Sequence, residues 1–239
     1  MRHIFPSLRY ERPNAGHSAR ETHSLPLQAG ERQLTAHQRK FSPPRTLQRQ
    51  IERPRLIEQL IRNRNTPLTI LSAPAGYGKS TLLRQAAAQA ANEGAAIAWL
   101  NCDPSDREAE NFIASLHHAL IACDAYFADF RTSLGVLAES LEAFHAPVLI
   151  ILDDYDTLKG STADDIVEWL TSILPSTSRL LIGARSIDEA RVAKLILEGA
   201  ARTVDATALS FSADEASALL QGHCDEQTID RMIDVAEGW

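Results

Sequence analysis

The sequence predicts an α/β fold, a parallel five-stranded sheet flanked by helices, and three observations carry that expectation. Residues 68–90, LTILSAPAGYGKSTLLRQAAAQA, pass from an apolar strand through a loop with two glycines into a run of helix formers. Residues 148–154, VLIILDD, are an unbroken apolar run closed by two aspartates. Such a run marks a strand buried on both faces, as parallel strands are when helices lie above and below. Around these two stretches, strand-like runs alternate with helical periodicities, the order that builds βαβ units.

The first stretch fits the phosphate-loop pattern [A/G]-x-x-x-x-G-K-[S/T], filled by Ala73, Gly78, Lys79 and Ser80. Gly76 and Gly78 let the loop take unusual φ values and turn backbone N–H groups toward anionic oxygens. The helix that follows adds the positive end of its macrodipole. Lys79 can reach the β and γ phosphates, and the Ser80 hydroxyl can ligate Mg²⁺. The loop and the first turn of the helix, Ala73, Pro74, Ala75, Gly76, Tyr77, Gly78, Lys79, Ser80 and Thr81, are therefore the expected nucleotide-binding residues. Ala73 stands where the stricter pattern has glycine, which a residue leaving a strand with φ < 0 tolerates.

The other elements follow in order. Leu47 to Asn65 places Ile51, Leu56, Ile57, Leu60 and Ile61 on an apolar stripe, with Pro54 suited to a first helical turn. Strand one is expected at 68–72, its helix up to about Asn92 with Gly94 beyond it, and strand two at about 95–100. Phe112, Ile113, Leu116 and Leu120 mark one helix, and Leu134, Leu137, Leu141 and Phe144 mark another. Adjacent His117 and His118 lie on the former and suggest neither a metal pair nor a base. Strand three ends in Asp153 and Asp154, where open α/β sheets place their ligands. In a phosphate-loop protein Asp153 would hold the Mg²⁺ and Asp154 would orient or deprotonate the attacking water, although an aspartate pair can also merely begin a turn. A helix over 166–174 precedes strand four, RLLIGAR, at 179–185. A guanidinium at its end, Arg185, can reach a γ phosphate or stand as a plain surface arginine. A helix at about 188–198, a strand near 202–204, a helix opened by the capping box Ser212-x-x-Glu215, and a last helix at about 226–236 complete the reading.

Composition bounds the function. The chain has 239 residues, 44% of them hydrophobic, and a formal net charge of −7. That balance argues against a nucleic-acid platform, which needs a dense basic face. Residues 1–45 hold eight Lys/Arg against three Glu, so the remainder is more acidic still. Residues 1–47 also contain five prolines and no sustained period, and are expected to be a disordered basic extension. The scattered His3, His17, His23 and His37 have no ligand spacing. Cys102, Cys123 and Cys224 form neither a disulfide framework nor a C-x-x-C pair. The sequence has no apolar run long enough to span a membrane and no secretory h-region, so a cytoplasmic protein without membrane contact is expected.

Strands alternating with helices, Walker A on the first, Walker B on the third and an arginine on the fourth, suggest a P-loop ATPase of the additional-strand (AAA-like) type. The segments ERPRL, LTILSAPAGYGKSTLL, AIAWLNCD, LIILDDYDTL, LLIGARS, LSFSADEASALL and AEGW go further. Together, over about 48–239, they resemble the N-terminal ATPase domain of the large ATP-dependent LuxR-type transcription regulators, the maltose-activator family of the STAND NTPases. The resemblance implies a slow ATPase that acts as a switch, with ATP/ADP and Mg²⁺ as ligands. ADP would hold a closed monomer, and ATP with an inducer would open it for self-association. It also implies an adenine-side element at Arg53 and Pro54, and a γ-phosphate sensor at Arg185. On this reading residues 48–205 are the ATPase domain and 206–239 begin a helical subdomain. The family continues past the closing Gly238-Trp239 with a sensor and a helix-turn-helix, so DNA contact is expected only through a domain outside this chain. A small-molecule phosphotransferase and a non-hydrolysing binding module are the competing classes; the former would want an arginine-rich lid, which the sequence does not show.

Overall fold

The computed structural model describes residues 35–45, 50–62, 66–129, 132–220, 228 and 231. In chain order the elements are α1 (Ala36–Lys40), α2 (Pro54–Arg62), β1 (Leu68–Ser72), α3 (Lys79–Asn92), β2 (Ala96–Asn101), α4 (Ala109–Cys123), α5 (Leu134–Ala143), β3 (Val148–Asp153), α6 (Thr162–Ile173), β4 (Arg179–Ala184), α7 (Glu189–Leu197), β5 (Ala201–Val204), α8 (Ala206–Leu209) and α9 (Ala213–Leu220). Short 3-10 turns at Pro104–Arg107, Ala125–Asp129 and Tyr155–Thr157 join them. All strand pairs are parallel and the order is β2-β3-β4-β1-β5. The additional strand β4 thus separates β1 from β3. The register aligns the strand ends, with Ser72 opposite Ala184 and Asn101 opposite Asp153.

Alternation along each strand feeds two apolar layers. Leu71, Trp99, Ile151 and Leu181 face α3 and α2, meeting Leu82, Leu83, Ala86, Leu56 and Leu60. Ile70, Leu100, Ile150, Leu152 and Ile182 face the opposite way, toward Phe112, Leu116 and Leu120 of α4 and Val167 and Leu170 of α6. Every residue of β3 is therefore buried, as its unbroken apolar run requires. His117 is buried too, but satisfied, with Nε2 2.9 Å from Phe127 O and Nδ1 2.8 Å from Thr132 Oγ1. Among the described residues no helix is long and apolar enough to cross a membrane.

The fold corrects one boundary. Residues 35–45, read from the sequence as part of an extension without fold, carry α1, opened by a capping box between Thr35 and Gln38. Lys40 Nζ donates at 2.8 Å both to Asp103 Oδ2 and to Asp106 Oδ1. Asp106 is fully buried and also accepts from Asp103 N at 2.9 Å and from Ser115 Oγ at 2.6 Å. Asn101 Nδ2 donates to Arg39 O at 2.6 Å and to Ser42 O at 2.9 Å, and the Phe41 ring stacks on His118. The segment thus covers the end of the edge strand β2. Its attachment is mostly polar, which is why apolar periodicity does not reveal it. The rest of the expected extension, 1–34 and 46–47, and nearly all of the expected helix at 226–236 fall outside the described residues. α8 and α9 belong to the same compact unit as the sheet, Leu34–Trp239, with Leu209 buried in the core.

Candidate functional site

The C-terminal ends of β1, β3 and β4 meet at one rim. From β1 the chain leaves through residues 73–78, whose start is tied to β4 by Ala73 N donating to Ala184 O at 3.2 Å. Ala73 is buried, Tyr77 packs partly against the layer beneath α3, and Pro74, Ala75, Gly76 and Gly78 are exposed. Gly76 and Gly78 have φ of 94° and 75°, a conformation open to glycine and strained for other residues. α3 then starts at Lys79 with no side chain capping its first amides, leaving an N-terminus able to receive an anion. Lys79 Nζ donates to Ala73 O at 2.6 Å and to Pro74 O at 2.8 Å, so the ammonium lies within its own loop. Thr81 and Ser80 follow in the first turn, both partly buried.

Opposite stand the β3 aspartates. Asp153 is only 3% exposed, accepts from Asp154 N at 3.1 Å, and is hydrogen-bonded by the Ser80 side chain. Burial holds its carboxyl above the usual range, the Ser80 bond opposes this, and the Asp154 charge adds to it. A buried carboxylate of this kind gains from a cation. Two hard oxygen donors, Asp153 and Ser80, suit Mg²⁺, which takes few protein ligands and keeps water or phosphate for the rest. Among the described residues no cluster of three or more His, Cys, Asp or Glu offers an all-protein metal cage. Asp154 is exposed and left-handed (φ 54°), the one described non-glycine residue with positive φ. Burial pulls the Lys79 ammonium below the ordinary lysine range; the charges of Asp156, Asp153 and Asp154 oppose that shift and Arg185 reinforces it. Lys79 is thus within electrostatic reach of all four groups.

Arg53 is placed differently from the others. Arg53 is only 5% exposed, and its guanidinium is turned toward the segment around α8 and α9. Nη1 donates to Leu209 O at 2.7 Å, Nη2 to Ser210 O at 2.8 Å and to Glu215 Oε2 at 2.9 Å, and the group lies 4.8 Å from the Phe211 ring centroid. Glu215 also closes the expected capping box, its carboxylate accepting from Ser212 N while Ser212 Oγ accepts from Glu215 N. The side chain therefore ties the start of α2 to α9, whereas Pro54 is the exposed first residue of α2.

Sequence reasoning missed two residues at this rim. Asp156 accepts from the backbone of Arg185, at 2.9 and 2.7 Å, and of Ser186, at 3.2 Å. Gly183 lies under Asp153: a Cβ there would sit 2.7 Å from Asp153 Oδ1 and 2.9 Å from Leu83 Cδ1. A lone glycine inside a strand pattern is a signal of close approach that could have found it. Gly183→Ala is expected to push the Asp153 carboxylate aside, costing about 1–3 kcal/mol of stability. Thermal melting checks it; an unchanged melting temperature would show that the contact is relieved without strain.

Comparison with known proteins adds to this geometry. The family model described as novel STAND NTPase 5 matches residues 31–158, a span that includes α1. The chain is similar to the HTH-type transcriptional regulator MalT of Serratia proteamaculans (strain 568), 26% identical over 217 residues covering 84% of this chain and 24% of the regulator. The same protein of Yersinia pestis (strain Pestoides F) matches at the same identity and coverage. The chain thus spans about a quarter of the length of the curated relatives it matches. Among solved structures it is similar to a chain of Drosophila ORC bound to poly(dA/dT) DNA and Cdc6, with a TM-score of 0.51 and 16% identity over 70% of this chain and 30% of that one. Cdc6p from Pyrobaculum aerophilum matches with a TM-score of 0.50 and 17% identity over 82% of this chain and 58% of that one. At these identities the structural likeness establishes the fold.

Proposed function

Because the chain belongs to the STAND NTPases, in the novel STAND NTPase 5 family, we propose that it is an ATP-binding module that hydrolyses ATP slowly and uses its nucleotide state as a switch. The observation that carries this reading is the convergence of Lys79, Asp153, Asp154, Asp156 and Arg185 at the ends of three parallel strands, beside an uncapped helix N-terminus. Residues Ala73 to Thr81 receive the triphosphate: the loop amides bind its oxygens, and Lys79 exchanges the Ala73 and Pro74 carbonyls for β and γ phosphate oxygens. Ser80 and Asp153 would hold Mg²⁺, which when bound would neutralise developing phosphate charge. Asp154 orients the attacking water and takes its proton. Arg185 meets the terminal phosphate. Pro54 and the main chain of Arg53 border the adenine, since the Arg53 guanidinium is already committed to Leu209, Ser210 and Glu215.

The regulators that the chain resembles are named as HTH-type, and the chain spans 24% of them. We therefore place the module in a cytoplasmic LuxR-type regulator, with self-association in the ATP state and DNA contact through parts of such a protein beyond this span. The test is phosphate release from Mg-ATP with no acceptor added. Slow release supports the switch. No release with tight binding points to a non-hydrolysing module, and release only on addition of a small-molecule acceptor points to a phosphotransferase.

A further inference from the structure

β4 ends at Ala184, and the next two amides have left the ladder. They are not left to water. Asp156, on the turn after β3, accepts from Arg185 N with both oxygens, at 2.9 and 2.7 Å, and from Ser186 N with Oδ1 at 3.2 Å. A second tie runs beside it, Lys159 Nζ donating to Ser186 Oγ at 3.0 Å. The turn that carries Asp156 is itself held. Thr157 N donates to Asp154 O at 3.2 Å and Leu158 N to Tyr155 O at 2.9 Å, Arg107 Nη1 donates to Thr157 O at 2.7 Å, and the Tyr155 hydroxyl donates to Asp164. Hydrogen bonds from amides to a carboxylate are about twice as strong as neutral ones. The backbone of Arg185 therefore takes its position from Asp156, across a separation of 29 residues. Where that backbone sits fixes where the Arg185 side chain departs.

We infer that Asp156 is a positioning residue: its carboxylate clamps the Arg185–Ser186 main chain to the turn that bears Asp154, so that guanidinium and carboxylate address the terminal phosphate as one unit. The discrimination of a nucleoside triphosphate from a diphosphate then depends on Asp156 although it touches neither. This rests on the reading of Arg185 as the group that meets the terminal phosphate.

A double-mutant cycle on the full chain tests it, with Arg185→Ala, Asp156→Ala and the pair. The readout is the ratio of Mg-ATP to Mg-ADP affinity from calorimetry, with thermal melting of each variant. Arg185→Ala is expected to lower the ratio about tenfold or more, by loss of a charge-assisted contact. Asp156→Ala should lower it nearly as far, and the pair no further than Arg185→Ala alone, the non-additivity of groups acting as a unit. Asp156→Asn keeps one carbonyl acceptor and the side-chain size, so it should fall between parent and Asp156→Ala; it decides the question if Asp156→Ala does not fold. An unchanged ratio in both Asp156 variants, or an Asp156 effect that adds fully to that of Arg185→Ala, overturns the inference while the ATPase reading stands. A ratio unmoved by Arg185→Ala removes the role given to Arg185, and the inference with it.

Discussion

Lys79→Ala will abolish detectable ATP binding and leave the fold intact. The half-buried ammonium makes its hydrogen bonds to Ala73 O and Pro74 O, and Pro74 is exposed, so water can take over much of what the side chain supplies to the free protein. With nucleotide present the balance differs. The loop amides and the α3 N-terminus provide partial charges, and the one full positive charge inside the loop is Lys79. Hydrogen bonds to charged groups contribute about 1.5–3 kcal/mol each, so losing contacts to two phosphates costs about a hundredfold or more in affinity. The acidic rim adds to the loss, because the ammonium no longer offsets the nearby charges of Asp156 and Asp153. Calorimetric titration with Mg-ATP, with a melting curve for the fold, measures both parts. Equal affinity in variant and parent would remove the nucleotide site from this loop.

What was legible in the sequence follows physical lines. β3 appears at 148–153 because an unbroken apolar run with β-branched residues has few other homes than a doubly covered strand, and β1 at 68–72 because a mostly apolar stretch leads straight into the glycine loop. α3 and the 212–215 capping box were legible because glycine, lysine and serine at fixed offsets have local meaning. Groups that act across long sequence separations were not. Lys40 meets Asp103 and Asp106 63 and 66 residues away, and nothing in the spacing of a charged residue tells which buried carboxylate it will find. Resemblance alone points Arg53 to the adenine side; the bond of its guanidinium to Glu215, 162 residues on, is invisible until the chain closes. Asp156 reads in sequence as one more acidic residue of a turn. The additional-strand type expected from the motifs sets β4 beside β3, but it does not tell which turn residue will meet the amide of Arg185.

Asp154→Asn should separate binding from hydrolysis. Asp154 is held by its backbone: N donates to Asp153 Oδ1 at 3.1 Å, and O accepts from Thr157 N at 3.2 Å and from Thr157 Oγ1 at 3.0 Å. Its left-handed conformation costs most residues roughly 1–2 kcal/mol, but asparagine adopts it as readily as aspartate. The substitution therefore keeps the turn, and with it Lys79, Ser80, Asp153 and the Asp156 contacts, and removes only a carboxylate able to take a proton. ATP affinity should stay within about twofold of the parent, because lifting one negative charge from an exposed position changes the phosphate field little in water. Single-turnover hydrolysis should fall by about 10²–10⁴, the usual contribution of a positioned general base. Asp154→Gly, which permits the same φ without a side chain, should lose as much rate, so that a drop in both variants reports the carboxylate and not the backbone. A single-turnover rate unchanged in Asp154→Asn would mean that the left-handed aspartate serves the turn alone, and that the attacking water is oriented by another group at this rim.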